Sequence, residues 1–202
     1  LKPHAERFAK LEHVVVLGPG GSSLGGQTLL ALKDQGFGPL AGRPKLWFMD
    51  NVDPSTLAEL CARLPLQRTG LIVISKSGST AETLAQFLTL LPEFEAKVGK
   101  AKLADHVVAI TEPSDNALSR IAGRIGCPIL DHDPRVGGRF SVLSLVGLLP
   151  AMIGGLDVEA VRAGAASVLD PVLQAGDARG LAPAIGAALS IGLARERGIG
   201  TT

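Results

Sequence analysis

The sequence has few aromatic side chains and no excess of either charge. Aromatic residues make up 3% of the 202 residues, so helices in this chain must pack through small side chains. Twenty basic and nineteen acidic residues nearly cancel, without a basic block or interleaved aromatics, which argues against a nucleic-acid partner. An anion bound by this chain must therefore be held by local groups.

Metal ligands and long apolar segments are also scarce. Cys61 and Cys127 lie far apart, and the four histidines have no metal-ligand spacing, so we expect a reducing compartment without a disulfide or metal. Glycine and proline interrupt every apolar stretch within about a dozen residues, which is too short to cross a membrane. The first residues lack the apolar core of a signal peptide. These absences predict a cytoplasmic protein without a membrane contact.

Short apolar runs alternate with helical segments through the first two thirds of the chain. The runs predicted as strands are residues 13–18, 45–50, 69–75, 106–111 and 127–131. The predicted helix boundaries are an end near residues 34–36, an Asp53 cap before Pro54, and a cap at Ser114 or Asp115. A further helix is predicted from about Thr80 to Leu90, and Pro92 breaks or restarts it before Val98. The alternation predicts a three-layer α/β/α, flavodoxin-like fold with a five-stranded parallel sheet in the order 2-1-3-4-5.

The composition and spacing of the apolar residues change after residue 140. Alanine, leucine, glycine and valine recur at helical spacing, with stops near Gly154, Pro171 and Gly180, which predicts three C-terminal helices. We therefore expect a sheet domain over residues 1–140 and a helical extension over 141–202, packed on that domain or on a partner. The apolar residues Leu148, Leu149, Met152 and Ile153 form a candidate interface, with burial in the core as the alternative.

One stretch organises the others: an apolar strand that ends in Ser75, Lys76, Ser77, Gly78, Ser79 and Thr80 before a helix. The first amides of a helix have no intrahelical partner and lie at the positive end of its dipole. Four hydroxyls and a glycine beside these amides are typical of a phosphate site. The alternative is that Ser79 or Thr80 only caps the helix.

A second turn rich in glycine and serine, Gly18–Gly26, follows the first strand. In the predicted order, strands 1 and 3 are neighbours whose connections leave in opposite directions, and ligands bind at such a switch point. Both turns are therefore expected to line one crevice. A dinucleotide fingerprint is an alternative, but Ser23 stands where its third glycine belongs, and the lysine of a nucleotide-binding P-loop is absent.

Four blocks of the sequence resemble, in order, those of the glucose-6-phosphate isomerase family: Gly18–Gly25, Asn51–Pro54, Ser75–Thr83 and Val136–Ser141. The Gly-Gly-Arg-Phe-Ser block distinguishes this family from two other groups with sugar-isomerase (SIS) domains, the phosphoheptose isomerases and the glucosamine-6-phosphate synthases. The resemblance implies the first SIS domain of an aldose-ketose isomerase that uses no cofactor and acts as a homodimer. It covers nearly all of this chain but only the first half of the family's enzyme, so a second SIS domain is an expected partner.

The resemblance also implies roles for individual residues. The phosphate would be held by the hydroxyls and backbone of one turn, and the sugar by the other turn. The implied substrate-binding residues are Gly21, Ser22, Ser75, Lys76, Ser77, Gly78, Ser79 and Thr80. Arg139 would stabilise the enediolate as the proton moves from C2 to C1, because a permanently charged guanidinium can stabilise an oxyanion. The family's Glu base, ring-opening His and Lys come from segments beyond residue 202.

Several alternatives remain open at this point. Arg139 could cap a helix or form a surface ion pair, Lys76 could be a solvated lysine, and His132 could be a charged turn residue between two aspartates. Gly78, Ser79 and Ser23 depart from the family towards the general SIS pattern, which bears on sugar preference. A non-catalytic phosphosugar-binding module that regulates a partner is the alternative function.

Overall fold

The central element of the fold is a parallel five-stranded sheet, seen in a computed structural model that describes residues 1–200. The strands are β1 His13–Leu17, β2 Lys45–Met49, β3 Thr69–Ile74, β4 Val107–Thr111 and β5 Ile129–Asp131. They lie in the order β2-β1-β3-β4-β5, with every neighbouring pair parallel. The predicted fold class and strand order are confirmed.

Nine α-helices accompany these strands in the described residues. They are α1 Lys2–Phe8, α2 Gly21–Asp34, α3 Pro54–Arg63, α4 Ala81–Val98, α5 Leu103–His106, α6 Ala117–Ile125, α7 Leu145–Ile153, α8 Val158–Gln174 and α9 Ala182–Arg197. Over residues 1–200, none of them combines the length and apolar character needed to span a bilayer.

Both faces of the sheet are covered, which explains why its central strands are continuously apolar along most of their length. Along β1, Val15 and Leu17 pack with the buried face of α4, represented by Phe87. Val14 and Val16 belong to a second cluster on the other face, together with residues of α1 and α7. A strand buried on both sides needs apolar residues without alternation, as the sequence shows for β1, β3 and β4.

Two helix boundaries differ from those predicted. Helix α4 continues through Pro92 to Val98 instead of ending at Leu90. Pro92 removes the bond to the carbonyl of Leu88, and because Leu88 is exposed, water can satisfy that carbonyl. Helix α6 is capped by Asn116 rather than by Ser114 or Asp115. The short helix α1 was not predicted.

The chain divides into two compact units, Leu1–Val158 and Glu159–Thr202. The first contains the sheet and α7, whose Leu148, Leu149 and Ile153 are buried, so these residues belong to the core rather than to an exposed patch. The second contains α9 and all but the first residue of α8, which runs through Pro171. The functional boundary at residue 140 stays a prediction.

His13, at the start of β1, and Trp47, in β2, share a hydrogen bond that depends on pH. The indole nitrogen of Trp47 donates a hydrogen bond to Nδ1 of His13 over 3.3 Å, which requires a neutral imidazole. Burial is the main cause that lowers the pKa of His13 from its usual 6.5. The cations Lys45 and Arg68 lower it further, while Glu12 opposes them.

We therefore expect acid to weaken this edge of the sheet. As the pKa of His13 is lower in the folded chain, the unfolded chain takes up the proton first, so His13 contributes stability fully above pH 6.5 and loses it as pH falls towards the folded-state pKa. Urea unfolding, followed by the fluorescence of Trp47, the only tryptophan, measures this loss between about pH 8 and pH 5. In His13→Gln the amide oxygen accepts the same bond without titrating, so the pH dependence should shrink. An unchanged pH dependence in that variant would contradict the assignment.

Candidate functional site

The two polar turns predicted from the sequence begin side by side at one edge of the sheet. Leu17, the last residue of β1, pairs with Val73 near the end of β3. The chains are so close there that a Cβ on Gly18 would lie 2.6 Å from the carbonyl oxygen of Ile74. Gly18 has a φ of +148°, a conformation available to glycine. The turns after β1 and β3 therefore share one crevice edge.

The helices that follow these two strands begin without a side-chain cap. Within residues 1–200, no side chain of the N-cap residue accepts from the first amides of α2, after Gly20, or of α4, after Thr80. At the same edge, α3 is capped by Asp53 and α6 by Asn116. Helix α4 thus begins with amides that have no side-chain cap, and such an end favours an anion. At the start of α2, the amides of Ser22 and Ser23 donate to the backbone carbonyls of Pro19 and Gly20, at 3.3 and 3.0 Å. The alternative in which Thr80 only caps α4 has no supporting hydrogen bond.

The hydroxyls of the turn after β3 are ordered around its own backbone. Ser75 is buried, and its Oγ lies 2.8 Å from the hydroxyl of Thr80 and accepts from the Thr80 amide at 3.3 Å. The exposed Ser77 accepts from the amide and the hydroxyl of Ser79, at 3.3 and 3.0 Å. Ser75 therefore shapes the turn from inside, while Ser77 and Ser79 present hydroxyls at its surface.

Gly78 joins this turn to the start of α6. Its φ is +64°, and a Cβ at this position would lie 1.8 Å from the side-chain oxygen of Asn116. Its carbonyl accepts a hydrogen bond from the amide of Leu118 at 2.9 Å. Asn116 also forms a capping box with Ser119. Sequence reasoning missed Asn116, although an Asn three residues before a Ser is a recognisable cap signal.

The side chain of Lys76 turns away from the hydroxyls. Its Nζ donates to the carbonyl oxygen of Pro134 at 2.7 Å and pairs with Glu112 at 3.5 Å. Pro134 lies in the loop between β5 and the 3-10 helix Gly138–Leu143 that carries Arg139. Lys76 is thus a link between two loops, rather than the freely solvated lysine considered above.

The loop that carries Arg139 lies directly on the start of α2. A Cβ on Gly21 would fall 2.0 Å from the carbonyl oxygen of Gly138. The buried hydroxyl of Ser141 donates to that same carbonyl at 2.7 Å and lies 3.4 Å from the carbonyl of Gly21. Gly21 therefore serves here as a point of contact between two backbones.

Arg139 is exposed, and its guanidinium makes no hydrogen bond or ion pair with any residue between 1 and 200. The surface cavity beside it measures about 290 Å³ and is lined by Gly21, Leu24, Gly25, Thr28, Gly138, Arg139 and Val142. Neither a helix cap nor a surface ion pair accounts for Arg139 in the described chain. A cation of permanent charge is thus available at the cavity beside the start of α2.

His132 follows β5 and is buried, with 3% of its surface exposed. Its amide donates to the carbonyl of Thr111 at 2.8 Å, and its Nδ1 lies 3.0 Å from the carbonyl of Asp133. The Arg135 side chain bonds Asp133 and lowers the pKa of that carboxyl to about 2. His132 therefore belongs to the buried structure that supports the loop after β5.

Comparison with known proteins decides the family. A family model described as phosphoglucose isomerase matches residues 4–199. The chain belongs to this family. A glucose-6-phosphate isomerase of Rubrobacter xylanophilus is 42% identical over 165 residues, and one of Carboxydothermus hydrogenoformans is 39% identical over 161 residues. These matches cover 80% and 77% of this chain.

Solved structures agree with the phosphoglucose isomerase assignment. A hypothetical protein of Thermus thermophilus superposes with a TM-score of 0.85 at 32% identity, over 98% of this chain and 45% of that one. A glucose-6-phosphate isomerase from Chlamydia trachomatis gives a TM-score of 0.72 at 27% identity, over 96% of this chain and 38% of that one. The chain spans only 38% and 34% of the length of the two curated relatives above.

Membership of the phosphoglucose isomerase family sets the dinucleotide alternative aside, and the glycine turn itself agrees. Ser23, at the position of the fingerprint's third glycine, is fully buried, and its hydroxyl donates to the carbonyl of Gly18. This serine closes the turn on itself. In a dinucleotide site, a glycine at that position allows close packing of helix and strand.

Proposed function

We propose that this chain is the sugar-phosphate-binding half of a glucose-6-phosphate isomerase, which interconverts glucose 6-phosphate and fructose 6-phosphate through an enediolate. The observation that carries the proposal is the pair of uncapped helix ends, α2 and α4, side by side at the switch point of the sheet. A phosphate held there would lie at the positive end of two helix dipoles and would receive hydrogen bonds from the first amides of α4, which have no side-chain cap.

In this proposal the phosphate lies at the turn after β3. Ser77 and Thr80 would supply hydroxyls, the backbone from Lys76 to Ser79 would supply amides, and Ser75 would hold Thr80 in place. Charge-assisted hydrogen bonds to a phosphate are stronger than those between neutral groups. Gly21 and Ser22, at the start of α2, would line the sugar.

Arg139 would act on the reacting part of the sugar. Its guanidinium is unpaired in the described chain and borders the cavity next to Gly21. Moving a proton between C2 and C1 leaves negative charge on oxygen in the enediolate, and a fixed cation there lowers the energy of the transition state. The proton transfers themselves and ring opening need acid and base groups, which we assign to the part of the enzyme beyond this chain.

The second unit is suited to packing against that further part. Helices α8 and α9 expose many large apolar side chains, with Leu173 at 73% and Leu189 at 61%. Large exposed apolar patches are typical of surfaces that bind a partner. We propose the second SIS domain of the same enzyme as the partner, within a homodimer.

Calorimetry with 6-phosphogluconate and with inorganic phosphate tests the proposal. We expect binding to this chain with little isomerase turnover, and an affinity reduced about tenfold in Ser77→Ala, because a hydrogen bond to a charged group is lost. Ser167→Ala in α8 is the matched control, since Ser167 is exposed and bonds only within its helix. A folded chain that binds neither ligand would refute the proposal.

The alternative function, a regulatory phosphosugar-binding module, uses the same turns and predicts the same calorimetry. An assay of the complete protein distinguishes the two functions. Turnover of glucose 6-phosphate by the complete protein favours the enzyme. Binding without turnover, together with a fused regulatory domain, favours the module.

A further inference from the structure

We propose that Lys76 is a positioning residue, whose ammonium fixes the loop that carries Arg139 to the phosphate-binding turn. The inference deepens the proposed function and rests on it for the role of Arg139. In this proposal the backbone of Lys76 binds the phosphate, whereas its side chain positions the loop that carries Arg139.

The side chain of Lys76 contacts two parts of the chain, the loop after β5 and the residue that follows β4. Its Nζ donates to the carbonyl oxygen of Pro134 at 2.7 Å, a short bond for a charged donor. Its backbone carbonyl accepts from the amide of Glu112 at 2.9 Å, and the Glu112 carboxylate lies 3.5 Å from Nζ. The lysine is therefore held at both its backbone and its side chain, next to the end of β4.

The carboxylate nearest to Pro134 in the loop does not compete for this ammonium. Asp133 is engaged by Arg135, through the amide at 2.9 Å and through the guanidinium at 3.1 and 2.9 Å. The turn at 133–135 is thus closed on itself. Lys76 then attaches that closed turn to the phosphate-binding turn by the carbonyl of Pro134.

Stability alone does not account for this arrangement. The side chains of Lys76 and Glu112 are 32% and 28% exposed, and ion pairs so close to solvent add little to folding. What the ammonium does supply is a fixed distance between two loops 58 residues apart in sequence. A fixed distance matters where a cation must meet a developing charge.

The segment that carries Arg139 is anchored on both sides by the turns proposed to bind substrate. On one side Pro134 is tied to Lys76, and on the other side Ser141 contacts Gly21 at the start of α2. Between these anchors Gly138, Arg139 and Phe140 are exposed. Without the Lys76 bond, the attachment before Arg139 would recede from Pro134 to His132, whose amide donates to the carbonyl of Thr111.

Hydrogen exchange of residues 136–140, measured beside calorimetry with inorganic phosphate, tests the inference. In Lys76→Met we expect exchange in this segment to rise about tenfold, because a local opening loses one anchor. We also expect phosphate affinity to stay within about threefold of the wild type, since no phosphate contact is removed. Lys76→Arg, which keeps a charged donor, should restore much of the protection. Lys97→Met, at an exposed lysine in the last turn of α4, is the matched control.

The opposite pattern would overturn the inference. A loss of phosphate affinity of about tenfold with unchanged exchange would make Lys76 a phosphate ligand. In the complete enzyme, a positioning role lowers kcat with KM nearly unchanged, whereas a lost phosphate ligand raises KM. If the wild type binds no phosphate, the proposed function fails, while the exchange comparison still decides whether Lys76 holds the loop.

Discussion

Replacing Gly21 by alanine is expected to destabilise the first unit by about 1–3 kcal/mol and to weaken 6-phosphogluconate binding more than about tenfold. The added Cβ would lie 2.0 Å from the carbonyl oxygen of Gly138, a distance no pair of such atoms can keep. The oxygen belongs to the backbone of Gly138 and the Cβ is fixed directly to the backbone of residue 21, so no flexible side chain can absorb the strain. The start of α2 and the loop of Arg139 must separate, and the Ser141 contact that bridges them must stretch.

Urea unfolding and calorimetry measure the two effects of Gly21→Ala on the same protein. Gly123→Ala is the control: a Cβ on Gly123, inside α6, meets no atom within 4 Å. That substitution should leave binding unchanged and stabilise the helix by about 0.5–1 kcal/mol. Wild-type stability and affinity in Gly21→Ala would show that the close approach of the two backbones is not required.

The strands and the two polar turns could be predicted because their causes are local. A strand buried on both faces is a continuous apolar run, as at β1 and β3, and a helix after such a run leaves its amides at one known edge. The Asp53 cap before Pro54 was equally visible. The helix end predicted at Leu90 was wrong because α4 continues through Pro92. The carbonyl that loses its hydrogen bond there faces water, and that exposure depends on how the rest of the chain packs.

The contacts that shape the site could not be predicted, because they join residues far apart in sequence. Nothing near Lys76 indicates that its ammonium meets Pro134, 58 residues later. Likewise, the need for glycine at position 21 arises only where α2 meets Gly138. A single sequence reports the residues and their order, whereas these distances depend on how all the layers pack.

Close packing also explains why the turn after β3 has glycine at position 78. Gly78 adopts a φ of +64° and lies against the carboxamide of Asn116, which caps α6 and contacts several backbone groups between residues 111 and 119. A side chain at position 78 would therefore meet both an unfavourable backbone conformation and an occupied space. The identity of residue 116 thus decides what position 78 can hold.

Gly78→Ala should consequently cost about 1.5–4 kcal/mol of the free energy of unfolding: about 1–2 for a left-handed alanine and about 0.5–2 for a displaced Asn116 cap. Asn116→Ala alone should cost about 1 kcal/mol, since it removes the cap without adding strain. In the double variant the two costs should not add, because alanine at 116 leaves no carboxamide to displace, and we expect a shortfall of about 1 kcal/mol. Urea unfolding of the four proteins measures this difference, with phosphate affinity followed in parallel. Additive costs would mean that the Asn116 carboxamide moves aside freely, and that backbone conformation alone requires glycine at position 78.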